Sequence, residues 1–128
     1  MAYLFENALV RKINKNIVNA LSNRNIRPSF ELISNEHNQY VNTLKKLGLN
    51  ISTLESLDDF PDSIFVEDPG LTYNNNYISL RPADKTRFGE SAILANDVSN
   101  FFDNIYFLKD GYIEGGDILR INNHFIIG

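Results

Sequence analysis

Residues 67–80, EDPGLTYNNNYISL, and residues 114–127, EGGDILRINNHFII, carry the same plan. Each opens on acids, runs through alternating apolar positions, turns at adjacent asparagines and resumes with an aromatic and a branched residue. Asparagine tolerates the positive φ of tight hairpin turns, so both stretches read as hairpins, over Leu71 to Leu80 and Ile118 to Ile127. Asp68 and Asp117 are 49 positions apart, and Tyr77 and Phe125 are 48. Between the hairpins lie a helical pattern from Arg87 to Phe102 and a short strand from Ile105 to Leu108. A period of about 50 residues is that of a repeat architecture, in which each unit buries its faces against its neighbours.

Working back toward the N-terminus, Ile64, Phe65 and Val66 form an apolar triplet between carboxylates and read as a short strand. Phe30, Leu32, Ile33, His37, Tyr40, Val41, Leu44 and Leu47 fall near the i, i+3, i+4, i+7 spacing of a helix that opens after Pro28 and stops at Gly48. Strands are expected at Asn7–Ile13 and Leu49–Leu54, with a loop over Asn14–Arg27 containing one helical turn near Ile17–Leu21. The segment from Asn7 to Leu54 therefore looks like most of an earlier copy. The fold class is α/β, built from repeated ββαβ units. About two and a half units fill residues 1–128 as one partial domain that stops in the middle of a unit.

Composition removes several function classes. Twelve basic against sixteen acidic residues give a net charge of −4, with no electrostatic case for binding nucleic acid or an anionic membrane. No apolar run approaches the roughly 20 residues of a membrane span. No secretory signal is visible in Met1–Lys12, so the expected location is cytoplasmic. The absence of cysteine removes disulfides, thiolate metal sites and a cysteine nucleophile from this chain. Neither a phosphate-binding loop nor a serine elbow occurs.

The residues left with chemistry are acids at equivalent places in successive units: Asp62, Glu67 and Asp68, then Glu114 and Asp117. If they converge, they attract a cation. A guanidinium pairs bidentately with carboxylates. A hard metal takes oxygen ligands, although the spacing matches no known metal loop. Acids at strand ends also simply cap backbone or face solvent, and these readings stay open side by side. Gly115 and Gly116 permit a tight turn and close backbone approach. His37 lies on the apolar side of the first helix and is expected to be packed and hydrogen-bonded, while His124 follows a turn and is expected to be exposed. Arg87 can pair with a substrate carboxylate or form a surface ion pair. Phe65, Tyr73, Tyr77, Phe88, Phe101 and Phe102 read as core.

Four segments, in order, carry a resemblance to a known family: ALVR at Ala8–Arg11, PDSIFVEDP at Pro61–Pro69, the RP-x4-R-x-GE pattern at Arg81–Glu90, and IEGGDIL at Ile113–Leu119. Together they resemble the N-terminal half of the dimethylarginine dimethylaminohydrolase family, within the arginine-deiminase and amidinotransferase superfamily. The resemblance implies about half of a five-bladed pentein α/β propeller. It implies that Asp62, Glu67 and Asp68 surround a substrate guanidinium, that Arg87 holds the substrate α-carboxylate, that Leu21 sits on a loop closing over the substrate, and that Glu114 is the catalytic carboxylate polarising the guanidinium. The partner implied is a small guanidino compound, with no cofactor and no metal. In the family a cysteine attacks the guanidinium carbon and a histidine moves the protons, leaving citrulline. Those two residues have no counterpart here, so the 128-residue chain is expected to be inactive alone. The alternatives are a non-catalytic arginine-binding module, a related arginine deiminase or amidinotransferase, or one half of a split enzyme. Self-association, or association with a missing C-terminal half, is expected of an incomplete repeat array.

Overall fold

The computed structural model describes residues 5–22 and 27–128. The chain separates into two compact units, residues 1–64 and residues 65–128.

In the first unit, strand β1 (Asn7–Arg11) pairs in parallel with β2 (Asn50–Leu54), in a register that sets Asn7 against Asn50. A parallel pair needs a crossover, and helix α1 (Phe30–Lys46) supplies it. Its ends follow from the sequence. Ser29 is the N-cap, with its hydroxyl accepting the Leu32 N–H. Glu31 lies in the first turn and Lys45 and Lys46 in the last, each of the sign that suits the helix dipole. Gly48, at φ 88°, lets the chain leave in the left-handed region. The apolar periodicity over-predicted burial, since no α1 residue is fully buried. Ile33, His37, Val41 and Leu44 are half-buried, but Leu32, Tyr40 and Leu47 face solvent. The apolar arc is wider than the stripe that a two-stranded sheet can cover.

His37 is half-buried, among both apolar and polar neighbours. Its ring lies 6.5 Å from that of Tyr40, and burial holds its pKa below the ordinary imidazole value. A cavity of about 300 Å³ beside it is lined in part by Val10, Lys12, Val41 and Thr53. The loop expected over 14–27 contains a 3₁₀ turn at Lys15–Asn19, and residues 23–26 of it lie outside the described residues, as do residues 1–4 of the segment read for a signal.

The triplet Ile64–Val66 is not a strand. Residues 61–69 form successive turns, with Ser63 N–H on the Phe60 carbonyl and Asp68 N–H on the Phe65 carbonyl. Within the first unit the buried Asn14 amide donates to the carbonyls of Leu57 and Phe60, which bends the chain before a strand can start. A prolyl nitrogen at either end removes two donors that a ladder would need.

The second unit holds a complete ββαβ repeat. Strands β3 (Gly70–Tyr73) and β4 (Asn76–Ser79) form a hairpin, α2 (Glu90–Asp97) crosses over, and β5 (Asn104–Phe107) pairs in parallel with β4. The next repeat begins with the hairpin of β6 (Ile118–Ile121) and β7 (His124–Ile127). Asn74 and Asn122 occupy the same turn position at φ 52° and 53°. Gly70 opposes Ser79 as Ile118 opposes Ile127, so the two hairpins share one register. Tyr73 meets Phe125 edge-on at 5.4 Å, and Arg120 lies over the Tyr73 ring.

α2 is much shorter than the helix expected from Arg87 to Phe102. Gly89, at φ 94°, allows the turn from which the helix starts, and after Asp97 the chain continues in turns even though Val98 is fully buried. Burial alone sustained the apolar period there. Of the aromatics read as core, Tyr77 is buried against Phe102, whereas Phe65, Phe88 and Phe101 are largely exposed. No helix among the described residues is long and apolar enough to cross a membrane.

Candidate functional site

Two of the expected site residues meet in the first unit. Asp62 is buried, and both its carboxylate oxygens lie 3.2 Å from the Leu21 N–H, whose side chain is exposed. The acid therefore pins the backbone of the segment that carries Leu21.

Glu67, Asp68, Arg87 and Glu114 all lie in the second unit, where the motif segments are stitched together by backbone. Ile113 N–H donates to the Arg81 carbonyl at 2.9 Å, and Gly115 N–H donates to the Asp68 carbonyl at 2.9 Å. The turn carrying Glu67 and Asp68 is thus locked against the turn carrying Glu114. Gly115 is the residue that permits this approach: a Cβ there would overlap the Glu67 carbonyl oxygen. Gly116 has open space at the same test and is only part of the turn. Asp117 caps locally, accepting the Glu114 N–H at 3.1 Å. For that acid the capping reading holds.

Arg87 is not a surface ion pair. Its side chain is 4% exposed. Nη1 donates to Asp68 Oδ2 at 2.6 Å, Nε to Glu90 Oε2 at 2.8 Å, and Nη2 to Glu90 Oε1 at 2.7 Å and to the Phe65 carbonyl at 3.3 Å. Burial pulls the guanidinium pKa down, but the hydrogen bonds and charges of Glu90 and Asp68 outweigh it and raise the pKa above its ordinary value. The group stays cationic at any working pH. Glu90 was missed as a functional candidate, although it closes the RP-x4-R-x-GE pattern. Its signal was an acid three residues after an arginine at a helix start, which reads equally well as a surface pair.

Glu67 leaves much of its surface in solvent, yet partial desolvation of its carboxyl raises its pKa above 4.5. A backbone hydrogen bond and the Arg87 charge pull it down, and the Asp68 charge adds to the rise. Counted formally, the motif segments carry Glu67, Asp68, Glu90 and Glu114 against Arg81 and Arg87, an excess of negative charge. A cavity of about 310 Å³ in this unit is lined by Arg81, Arg87, Phe88 and Tyr112 among others, and by none of these four acids. His124 is exposed on β7, away from any expected role. Among the described residues, no group of three or more His, Cys, Asp or Glu side chains is arranged to hold a metal ion.

No family model matches the chain. Individual relatives do. The dimethylarginine dimethylaminohydrolase of Pseudomonas aeruginosa is 30% identical over 128 residues, which is 98% of this chain and 50% of that protein. The enzyme of the same name from Streptomyces coelicolor is 27% identical over 124 residues, covering 94% of this chain and 48% of that one. In structure, a cysteine-to-serine variant of the Pseudomonas aeruginosa enzyme, complexed with citrulline, superposes with a TM-score of 0.92 at 30% identity, over 98% of this chain and 50% of that one. The chain spans about half the length of the curated relatives it matches. With its repeated ββαβ units and this likeness in sequence and in fold, the chain is a homologue of the dimethylarginine dimethylaminohydrolases and shares their α/β pentein architecture over half their length.

Proposed function

We propose that these 128 residues form the guanidinium-recognising N-terminal half of a guanidino-group hydrolase acting on arginine or a methylated arginine. The observation that supports this best is the lock between the two acidic turns through Gly115 and Asp68, in a relative of an enzyme held with citrulline. In this reading Glu67 and Asp68 take the guanidinium and Glu114 polarises it, while in the first unit Asp62 holds the backbone of the segment carrying Leu21. Arg87 organises the acids through its bonds to Asp68 and Glu90. The cysteine that adds to the guanidinium carbon, and the histidine that protonates the departing amine and then activates water, come from residues outside these 128. The chain contains no cysteine. The domain is a partial pentein of about two and a half units.

The test is citrulline release from dimethylarginine, by this chain alone and after mixing with the C-terminal half of the Pseudomonas aeruginosa enzyme. No turnover alone and measurable turnover in the mixture is the expected pattern. Turnover by the chain alone would show that another nucleophile exists. A non-catalytic arginine-binding module is the second reading, favoured by the excess of acids in the second unit. It predicts arginine binding with no turnover in either assay.

The raised pKa of Glu67 gives a pH signature. A bound guanidinium favours the ionised carboxylate, so binding lowers that pKa and releases protons on the alkaline side of the ordinary glutamate pKa. Affinity for arginine should rise with pH through this window. Without ligand the sign reverses for stability: the fold favours protonated Glu67, so stability falls as pH rises through 4.5 toward the raised value. Titration calorimetry in two buffers of different ionisation heat reads the proton release. Identical heats in both buffers would remove Glu67 from the binding site.

Leu119, Ile121, Ile126 and Ile127 on the β6–β7 hairpin and Tyr106 and Phe107 on β5 are exposed. Strand edges flanked by apolar side chains recruit further strands. The isolated chain should therefore gain mass with concentration in light scattering. A constant monomer mass at high concentration argues against association through these strands.

A further inference from the structure

Glu90 is the first residue of α2, and its side chain is 2% exposed. A carboxylate so deeply buried is costly unless paired, and among the described residues it is paired with the Arg87 fork. Both oxygens are used, one on Nε and one on Nη2, which fixes the guanidinium in plane and in rotation. The edge left over is Nη1, and it lies on Asp68 Oδ2 at 2.6 Å. The two acids are not equivalent. Glu90 holds the inner edge in the interior with two bonds, whereas Asp68 uses one oxygen and its side chain is 25% exposed. Gly89, in the left-handed region, starts the helix at the point that brings Glu90 back onto Arg87.

We infer that Glu90 is a positioning residue for guanidinium recognition: by gripping Nε and Nη2 of Arg87 it keeps Nη1 on Asp68, and so holds the Asp68 carboxylate in one orientation for an incoming guanidinium. The inference rests on the reading that the acidic turns take a guanidinium. Without the grip, Arg87 can rotate about its outer bonds, and Asp68 loses the donor that orders it. Entropy then has to be lost on binding that the wild-type chain has already lost on folding.

The 128-residue chain and its Glu90→Gln variant provide the test. Glutamine keeps the shape but presents an N–H₂ where a carboxylate oxygen had accepted. Three quantities are measured at neutral pH: the melting midpoint, exchange of the Arg87 Nε–H by NMR, and the affinity for L-arginine by calorimetry in the cold, well below both midpoints. The expected result is faster Nε–H exchange and about tenfold weaker arginine binding, with Glu90→Asp recovering part of both. A merely structural role lowers the midpoint and leaves arginine affinity in the cold unchanged, and that result overturns the inference. Unchanged Nε–H exchange overturns it as well. If Glu90→Gln does not fold, Glu90→Asp is read by the same measurements against wild type. A wild-type chain that binds no arginine marks failure of the guanidino reading itself, which is distinct from a wild-type chain that binds and a variant that binds equally well.

Discussion

Replacing Arg87 by leucine should destabilise the second unit by about 3–5 kcal/mol, because it leaves Glu90 buried without its counter-charge. A whole domain is stable by only about 5–15 kcal/mol, so much of this unit's cooperative unfolding should disappear. The measurement is the urea midpoint, followed by a probe of the Tyr77–Phe102 packing. The double variant Arg87→Leu with Glu90→Leu removes the orphaned charge as well. It should recover most of the stability, since a buried ion pair can be exchanged for apolar packing at little net cost. It should not recover arginine binding, because Asp68 has still lost its partner. Arg87→Lys keeps the charge but cannot fork, and should fall between wild type and leucine. A loss below about 1 kcal/mol for Arg87→Leu would mean that the pair behaves as an exposed one.

Gly115→Ala should give the second large effect. The added carbon meets the Glu67 carbonyl oxygen, which is backbone, so no side-chain rotation relieves it. The turns must move apart, at about 1–3 kcal/mol for the overlap. The hydrogen bond from Gly115 N–H to the Asp68 carbonyl is lost with it. Any affinity for arginine should fall even at temperatures where the chain remains folded, because the turn carrying Glu67 and Asp68 is no longer locked to the turn carrying Glu114. Gly116→Ala is the matched control. Nothing lies within 4 Å of its added carbon, so it should stay within about 0.5 kcal/mol of wild type. Equal behaviour of the two variants would show that the turns are not locked through Gly115.

These expectations show which layers a sequence exposes. Local chemistry was legible. Asparagine turns announced both hairpins, and Pro28 and Gly48 bracketed α1 within two residues of its observed ends. The spacing from Tyr77 to Phe125 reappears as matched strand pairing, whereas that from Asp68 to Asp117 is one position longer than the strand register. What stayed hidden depends on neighbours distant in the chain. Ile64–Val66 looks like a strand until the turns around it are seen to be held by the Asn14 amide and by Pro61 and Pro69. Val98 extends the apolar period of α2 although the helix has ended, because burial does not require helical backbone. Arg87 and Glu90 look like a surface pair because charge alone does not disclose depth. Gly115 and Gly116 look alike, and only the Glu67 carbonyl distinguishes them.

The parallel pairings also set the order in which the chain acquires structure. Each hairpin closes over a two-residue turn and forms in about 1–10 μs. By contrast Asn7 must find Asn50 across 43 positions, and Asn76 must find Asn104 across 28. Neither ladder yields a bond until that loop entropy has been lost, and a crossover helix already in place shortens the search. The slow kinetic phase therefore belongs to docking of β1 on β2, and substitutions that fray α1 should lengthen it while leaving hairpin formation at its own pace.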